Sequence, residues 1–550
     1  MLRFKTIIFG LLTILSIPHS LAAPRNEENA IHYLSEHIPK LLAAKHIPGA
    51  AVVVVNKTQV LWQQGFGYTS LARKTKVTPQ TLFSAQSDSK MFTALAILLA
   101  AQQKKLNLDE SIQHYLPNFT VKSRFSPEPL AEMTLNHLLS HTAGFPHEAP
   151  IGNNFNPESP SFAAHINSIQ DVWLRYPVGQ RFAYSNLGYD LAGYILEQQT
   201  KMSFAKYLRQ MIFEPLGMYS STFDFREIQQ SSNIAIGNIP GLKSPKEIPM
   251  VPAGGLYTNA NDLGKFLQFQ LNEGKVGDTQ LLAKSYLDLM KTLPFPWRDQ
   301  QVGYGLGVVS IKFGDVVVYN HNGGGFGFNS TVIWVPKYNF GMAILLNGYD
   351  NPGLNDLVHE VMRILTNKKN LPINTLVPGK MTAAVSNKKF NPGWLGSYIT
   401  DNEEGLKLLF VDDKLGIKQA DRFNRLQVVN ENEFYTEDHK LYRYIPASSQ
   451  QPAYIQGVID GESWDLNEAI DEPPGPNKPS WKNYLGEYQI QTYKRDLARA
   501  KISVKNGYLY FNSYKLTEFK PGLYYAPNGF VLDLQGSTPI WNNAAVLKKI

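Results

Sequence analysis

The chain of 550 residues contains no cysteine. That excludes disulfides, thiolate metal sites and lipid attachment through an N-terminal cysteine. Beyond its N-terminal segment it also lacks any apolar run long enough to cross a bilayer as a helix. It lacks a long basic run as well: the formal charge of +7 is spread over 53 Lys and Arg against 46 Asp and Glu. A mildly basic, solvated surface fits this better than nucleic-acid binding. What is present, 43% hydrophobic residues with 12% aromatics, is the composition of a globular protein longer than one hydrophobic core.

Met1 to Ala23 has a basic start (Arg3, Lys5), an apolar stretch from Thr6 to Ile17 and a small-residue end, Ser20-Leu21-Ala22. This predicts a secretory signal peptide over residues 1–22, cleaved after Ala22. A retained anchor is the competing reading, but the apolar stretch is shorter than about 18 residues. The mature protein is therefore expected to be exported, to a bacterial periplasm or the medium, with no membrane span.

The next segment, Glu27 to Lys45, places Ile31, Leu34, Ile38, Leu41 and Leu42 at helical spacing, with Pro39 expected to kink or interrupt the helix. Ala50 to Val55 is a continuous apolar, β-branched run, and with Gln59 to Gly65 it reads as a hairpin. Phe83-Ser84-Ala85-Gln86-Ser87-Asp88-Ser89-Lys90 then leads into the apolar segment Ala94 to Ala101. A helix starting there sets Ser87 and Lys90 on one face, a hydroxyl beside an amine. A serine needs a nearby base to become a nucleophile, and the helix N-terminus favours an oxyanion. Ser-x-x-Lys also occurs at Ser203–Lys206 and Ser386–Lys389, neither of which opens a long apolar helix.

Three further stretches carry chemistry. His137 and His141 lie four apart, but the glutamate of a zinc-protease helix is missing, so a hydrogen-bonded helix end and turn is preferred over a metal. Tyr184-Ser185-Asn186 offers a phenol for proton transfer and an amide to hold a lysine or a substrate carbonyl. Tyr257-Thr258-Asn259 repeats the spacing in a stretch that reads as a loop. Within the β-meander of Gly314 to Asn347, His321-Asn322-Gly323-Gly324-Gly325-Phe326-Gly327 occupies the first turn. No Lys-Ser/Thr follows, which rejects a phosphate loop, whereas glycines at a strand edge suit an acyl oxyanion.

Taken together, Ser87-x-x-Lys90, Tyr184-x-Asn186 and His321-Asn322-Gly323 resemble, in order, the three boxes of the penicillin-recognising serine hydrolases. The resemblance is to the class C β-lactamase-like group, which includes D-aminopeptidases, DD-carboxypeptidases and esterases. Leu138 to Gly144, Glu214 to Met218 and Pro252 to Leu256 are also similar to stretches of that group, and the resemblance covers Glu27 to Asn367. It implies an α+β fold, an antiparallel sheet flanked by helices plus a helical lobe, with the site at their junction. It further implies that Ser87 attacks a carbonyl while Lys90 and Tyr184 move protons. Asn186 would orient Lys90 and substrate, and His321 with Gly323 would line the opposite wall. The NH groups of Ser87 and Gly324 would form the oxyanion hole, with no metal or cofactor.

Two residues depart from the family pattern. His321 stands where a lysine is usual, which weakens the β-lactamase and carboxypeptidase readings because histidine is largely uncharged at neutral pH. Asp88 stands where an apolar residue is usual. One helical step turns it about 100° from Ser87, so a surface or structural charge is expected; turned inward, it would pair with Lys90.

In the C-terminal third, residues 368–391 read as a linker. Trp394-Leu395-Gly396-Ser397-Tyr398 is echoed by Tyr484-Leu485-Gly486-Glu487-Tyr488, with a proline-rich linker at 472–479 between the copies. This predicts an all-β, barrel-like C-terminal region: two related modules, 392–471 and 480–550, or one barrel built from both, resembling lipocalin-like modules. They would gate the cleft or mediate homo-oligomer assembly. The expected activity is an exported serine hydrolase acting on amide or ester bonds, with peptides containing D-residues or cell-wall fragments as substrates. The alternatives are a β-lactamase or penicillin-binding DD-peptidase, an esterase, and a catalytically weak scaffold.

Overall fold

The computed structural model describes residues 26–550 except 73, 153–160, 239–250, 294–301, 314, 349, 368–391, 401–404, 412–413, 420–421, 437–440, 458–462, 470–471, 493–494 and 542–544. The expected signal peptide and the 368–391 linker therefore lie outside the described residues. So does the second Ser-x-x-Lys copy at Ser386.

The N-terminal part of the chain is built on a seven-stranded antiparallel sheet. Its strands are β1 (Gly49–Val55), β2 (Val60–Gly67), β3 (Val302–Tyr304), β4 (Val309–Phe313), β5 (Val316–Gly325), β6 (Phe328–Val335) and β7 (Phe340–Leu346), in the order β2-β1-β7-β6-β5-β4-β3. Helices α1 (Asn26–Ala44) and α5 (Asn351–Thr366) cover one face. Helices α2 (Ser89–Gln102), α3 (Asn186–Thr200) and α4 (Ala260–Leu271) belong to the other side. The unbroken apolar run of β1 follows from this: Val52 and Val54 pack under α1 and α5, while Val53 and Val55 pack toward α4. Every β1 residue is buried as a result. Helix α2 is apolar all round because it is enclosed all round.

Pro39 does not interrupt α1. It sits on the exposed side, while Leu34, Ile38 and Leu42 hold the buried side. The carbonyl it leaves without an intrahelical partner can therefore be met by water.

The C-terminal third does not form one barrel. Eight strands between Gly396 and Ala469 close on themselves, and nine strands between Gly486 and Lys549 form a second sheet. The sequence echo has a shared structural meaning. A short 3-10 turn precedes each module, and the Tyr398 hydroxyl donates to Trp394 O (2.7 Å) as the Tyr488 hydroxyl does to Tyr484 O (2.6 Å).

The β region is fastened to the N-terminal part by arginines. Trp464 and Leu466 fill the barrel core, so Asp465 between them points outward, where Arg181 meets it at 2.6 and 3.2 Å with both side chains buried. Arg175 Nε donates to Asn528 O in the second sheet at 2.8 Å. A side chain at Gly529 would meet Arg175 O at 2.3 Å, so glycine permits this close approach.

Candidate active site

Ser87 is presented by a tight turn. Phe83–Ser84 pairs with Tyr257–Thr258, Gln86 adopts φ 49°, and a 3-10 turn over Gln86–Asp88 runs into α2. A positive φ at a non-glycine residue is costly, and the Gln86 amide braces it by donating to Ser84 Oγ at 2.6 Å. Ser87 is half-buried. The other short copy, Ser203–Lys206, merely opens the helix Phe204–Leu208, with Lys206 exposed.

Lys90 is fully buried, and its Nζ lies 3.3 Å from Ser87 Oγ. It donates to Asn186 Oδ1 at 2.7 Å and to Ala253 O at 2.9 Å. Asn186 is the first residue of α3, while Tyr184 lies in the preceding loop with its ring centroid 4.9 Å from Nζ. The second Tyr-x-Asn has a different place. Tyr257 is in a two-residue strand rather than a loop, and Asn259 caps α4 by accepting from Asp262 N.

Supporting residues that the motifs did not mark surround this core. Glu148 Oε1 accepts from Asn186 Nδ2 at 3.0 Å, which turns the amide oxygen toward Lys90. Asp190, one helical turn after Asn186, accepts from Ala253 N (3.0 Å) and pairs with His165 Nε2 (3.0 Å), so it holds the segment whose carbonyl receives Lys90. Burial depresses the His165 imidazole, and the Asp190 hydrogen bond and charge more than reverse this, so its pKa is raised. The i,i+4 spacing of Asn186 and Asp190 was a readable signal. Ala253 acts through its backbone, and His165 had no signal.

The two histidines four apart separate. His137 forms a capping box with Thr134. His141 accepts from Ser185 N at 3.0 Å and packs on the Tyr184 ring at 4.2 Å. Burial, with Lys90 and His321 nearby, pushes the His141 imidazole well below its ordinary range, so it stays neutral and keeps that acceptor.

The third box departs from expectation. His321 to Gly325 belong to strand β5, and the turn is Phe326-Gly327, both at positive φ. His321 is 3% exposed, so it does not line an open wall; alternation puts Asn322 and Gly324 outward instead. Gly323 is buried, and a side chain there would meet Ala85 O at 2.1 Å, which makes it a packing residue against the Ser87 turn. Pairing with β4 ends at Asn320, so 321–325 has β6 on one side and, among the described residues, no strand on the other.

Asp88 is neither exposed nor paired with Lys90. It lies in the 3-10 turn before α2, where α-helical rotation does not apply, and it is completely buried with Oδ1 3.5 Å from His321 Nδ1. Burial pushes its carboxyl above the usual carboxylate range against the opposing pull of His321.

The family model described as Beta-lactamase matches residues 34–365. The chain belongs to the beta-lactamase family. It is 29% identical over 308 residues to Protein flp of Staphylococcus aureus (strain NCTC 8325 / PS 47), a match covering 55% of this chain and 60% of that relative. It is 26% identical to Penicillin-binding protein 4 of Amycolatopsis lactamdurans, covering 57% of this chain and 84% of that one. Two solved structures share the fold at 21% identity. One is the octameric penicillin-binding protein homologue from Pyrococcus abyssi (TM-score 0.54; 79% of this chain, 99% of that chain), and the other is SurE with D-Leu (TM-score 0.57; 80% and 99%).

Proposed function

We propose that the protein is an exported serine hydrolase that forms an acyl-enzyme on Ser87 and cleaves amide or ester bonds, with peptides carrying D-residues as its substrate class. The observation that supports this most is the Lys90 amine 3.3 Å from Ser87 Oγ, buried and held from behind by Asn186 and Ala253. In the proposed reaction Ser87 Oγ bonds to the substrate carbonyl carbon, and its proton passes to Lys90. The carbonyl oxygen becomes an oxyanion facing the NH groups of Ser87 and Gly324. The scissile bond breaks as Tyr184, relaying from Lys90, protonates the leaving amine or alcohol. Water then repeats the sequence on the ester and releases the acid.

The D-residue preference is drawn from the fold shared with SurE, whose structure contains D-Leu. Assembly into a homo-oligomer through the C-terminal β modules is proposed by analogy with the octameric homologue. No described helix is long and apolar enough to cross a membrane. A penicillin-recognising site is the second reading, favoured by the match over 84% of Penicillin-binding protein 4.

Intact-mass labelling by a fluorophosphonate and, separately, by a penicillin tests both, comparing wild type with Ser87→Ala. A single adduct lost in the variant supports the nucleophile, and the faster probe chooses between the two readings. No adduct on folded protein leaves neither reading standing.

A further inference from the structure

Asp88 and His321 are the two departures from the family pattern, and they meet. The contact follows from the glycine between them in space: with no side chain at Gly323, strand β5 lies directly against Ala85. His321, two residues earlier and on the same face of the strand, is thereby brought over Asp88, which lies just past Ser87. Three buried polar side chains then follow in line. His321 Nδ1 is 3.5 Å from Asp88 Oδ1 and 2.9 Å from Asn322 O, and His321 Nε2 is 2.8 Å from the Tyr304 hydroxyl. The Asn322 carbonyl can only accept, so Nδ1 carries the proton. Burial holds the Tyr304 phenol well above its ordinary range, so it stays protonated and donates to Nε2. The Tyr304 ring packs against His141 at 4.6 Å and stands edge-on to Tyr184 at 6.3 Å.

We infer that Asp88 is a positioning residue, the inner end of a buried Asp88–His321–Tyr304 relay: the Asn322 carbonyl and the Tyr304 hydroxyl set the His321 tautomer, the Asp88 carboxyl faces the protonated Nδ1 without a direct hydrogen bond, and Tyr304 with His141 seats the Tyr184 ring. The relay runs behind the nucleophile turn rather than in the cleft, and His321 acts through it rather than by binding a substrate carboxylate. A buried carboxyl facing the protonated nitrogen of an imidazole is a lever on the placement of that ring. The other groups facing the pair are Lys90 from α2, Ser330 from β6 and His141 from the loop after His137. Of these, Lys90 is held by Asn186 and Ala253, and Ser330 Oγ donates to Ala85 O at 2.9 Å. The catalytic consequence rests on the serine-hydrolase reading, but the relay itself does not.

Two measurements on the full chain separate these. The first is the ¹⁵N–¹H spectrum of selectively ¹⁵N-histidine-labelled Ser87→Ala protein, with His321 assigned by His321→Gln. The expected result is His321 with its proton on Nδ1, a shift of its Nδ1 resonance on adding Asp88→Asn, and a shift of its Nε2 resonance on adding Tyr304→Phe, which removes only a hydroxyl. A proton on Nε2, or no response to Asp88→Asn or to Tyr304→Phe, overturns the relay whether or not the protein is an enzyme. The second is the fluorophosphonate acylation rate of Asp88→Asn, Tyr304→Phe and the double variant on otherwise wild-type protein. Each single variant is expected to be slower by at least about ten-fold, and the double variant no slower than the worse single one. Fully additive losses, or single variants at the wild-type rate, overturn the positioning role. If Asp88→Asn does not fold, Asp88→Glu, which keeps the carboxyl but moves it, takes its place in both measurements.

Discussion

In the N-terminal part, ionisable side chains with almost no exposure converge on one place: Asp88, Lys90, His141, His165, Asp190 and His321. At the head of each β module a buried hydroxyl is settled locally and in the same way: Tyr398 and Tyr488 each reach the carbonyl four residues earlier. The large core residues there are aromatic, Trp394 and Phe434 in the barrel, Trp481 and Tyr524 in the second sheet. A buried ion pair, Asp465 with Arg181, joins the β region to the N-terminal part. Burying a charge opposes folding unless it is compensated, so a concentration of such groups marks a place kept for chemistry. Aromatic burial with a satisfied hydroxyl needs no reason beyond stability.

If that contrast is right, substitutions in the two regions should divide between activity and stability. Ser87→Ala and Lys90→Met are each expected to lower the acylation rate by about 10³-fold or more. Lys90→Met should move the melting temperature little, because removal of a buried cation is offset by the Asn186 and Ala253 acceptors left unpaired. Acylation kinetics and thermal melts on the same samples check this, and a large loss of stability would erase the contrast. Asp465→Ala should do the opposite. It leaves Arg181 buried without that partner, at a cost of about 3–5 kcal/mol in urea unfolding, and Arg181→Met combined with Asp465→Leu should recover most of it.

Acid should sharpen the comparison further. His141 has a folded pKa below its unfolded value, so its contribution is complete above about pH 6.5 and is lost as pH falls below that. Below pH 6.5 the unfolded chain binds more protons, and stability should fall by at most about 1.4 kcal/mol per pH unit from this group. Urea midpoints between pH 7.5 and 5.5 should show a flatter profile for His141→Gln, and equal slopes would remove His141 from the account. The smallest effect is expected in the β modules. Tyr398→Phe and Tyr488→Phe should each cost about 1 kcal/mol by denaturant titration, with acylation unaltered. A change in acylation from either would mean that the β region does more than pack.

The sheet was legible where burial on both faces wrote itself into composition, as in Ala50 to Val55. The site was legible where side-chain chemistry recurs at short spacing, as in Ser87-x-x-Lys90 and Tyr184-x-Asn186. Asp88 was misread because a helical rotation was applied to a residue in a 3-10 turn. His321 was placed on the open wall because its strand was taken to end before the glycines, and the strand runs on to Gly325. Ala253 could not be read as a ligand of Lys90, since its contribution is a backbone carbonyl.

By itself the sequence determined the local devices: the three boxes, the enclosed helix after Ser87, and the duplicated Tyr and Gly at the head of each β module. Those depend on neighbours within a few residues, whose geometry the backbone sets. Tertiary structure alone decided which buried charge meets which. Lys90 finds Asn186 across 96 residues and Ala253 across 163, and Arg181 finds Asp465 across 284. At such separations no period in the chain reports the contact. Only the packing of a side-chain-free Gly323 against Ala85 brings His321 to Asp88.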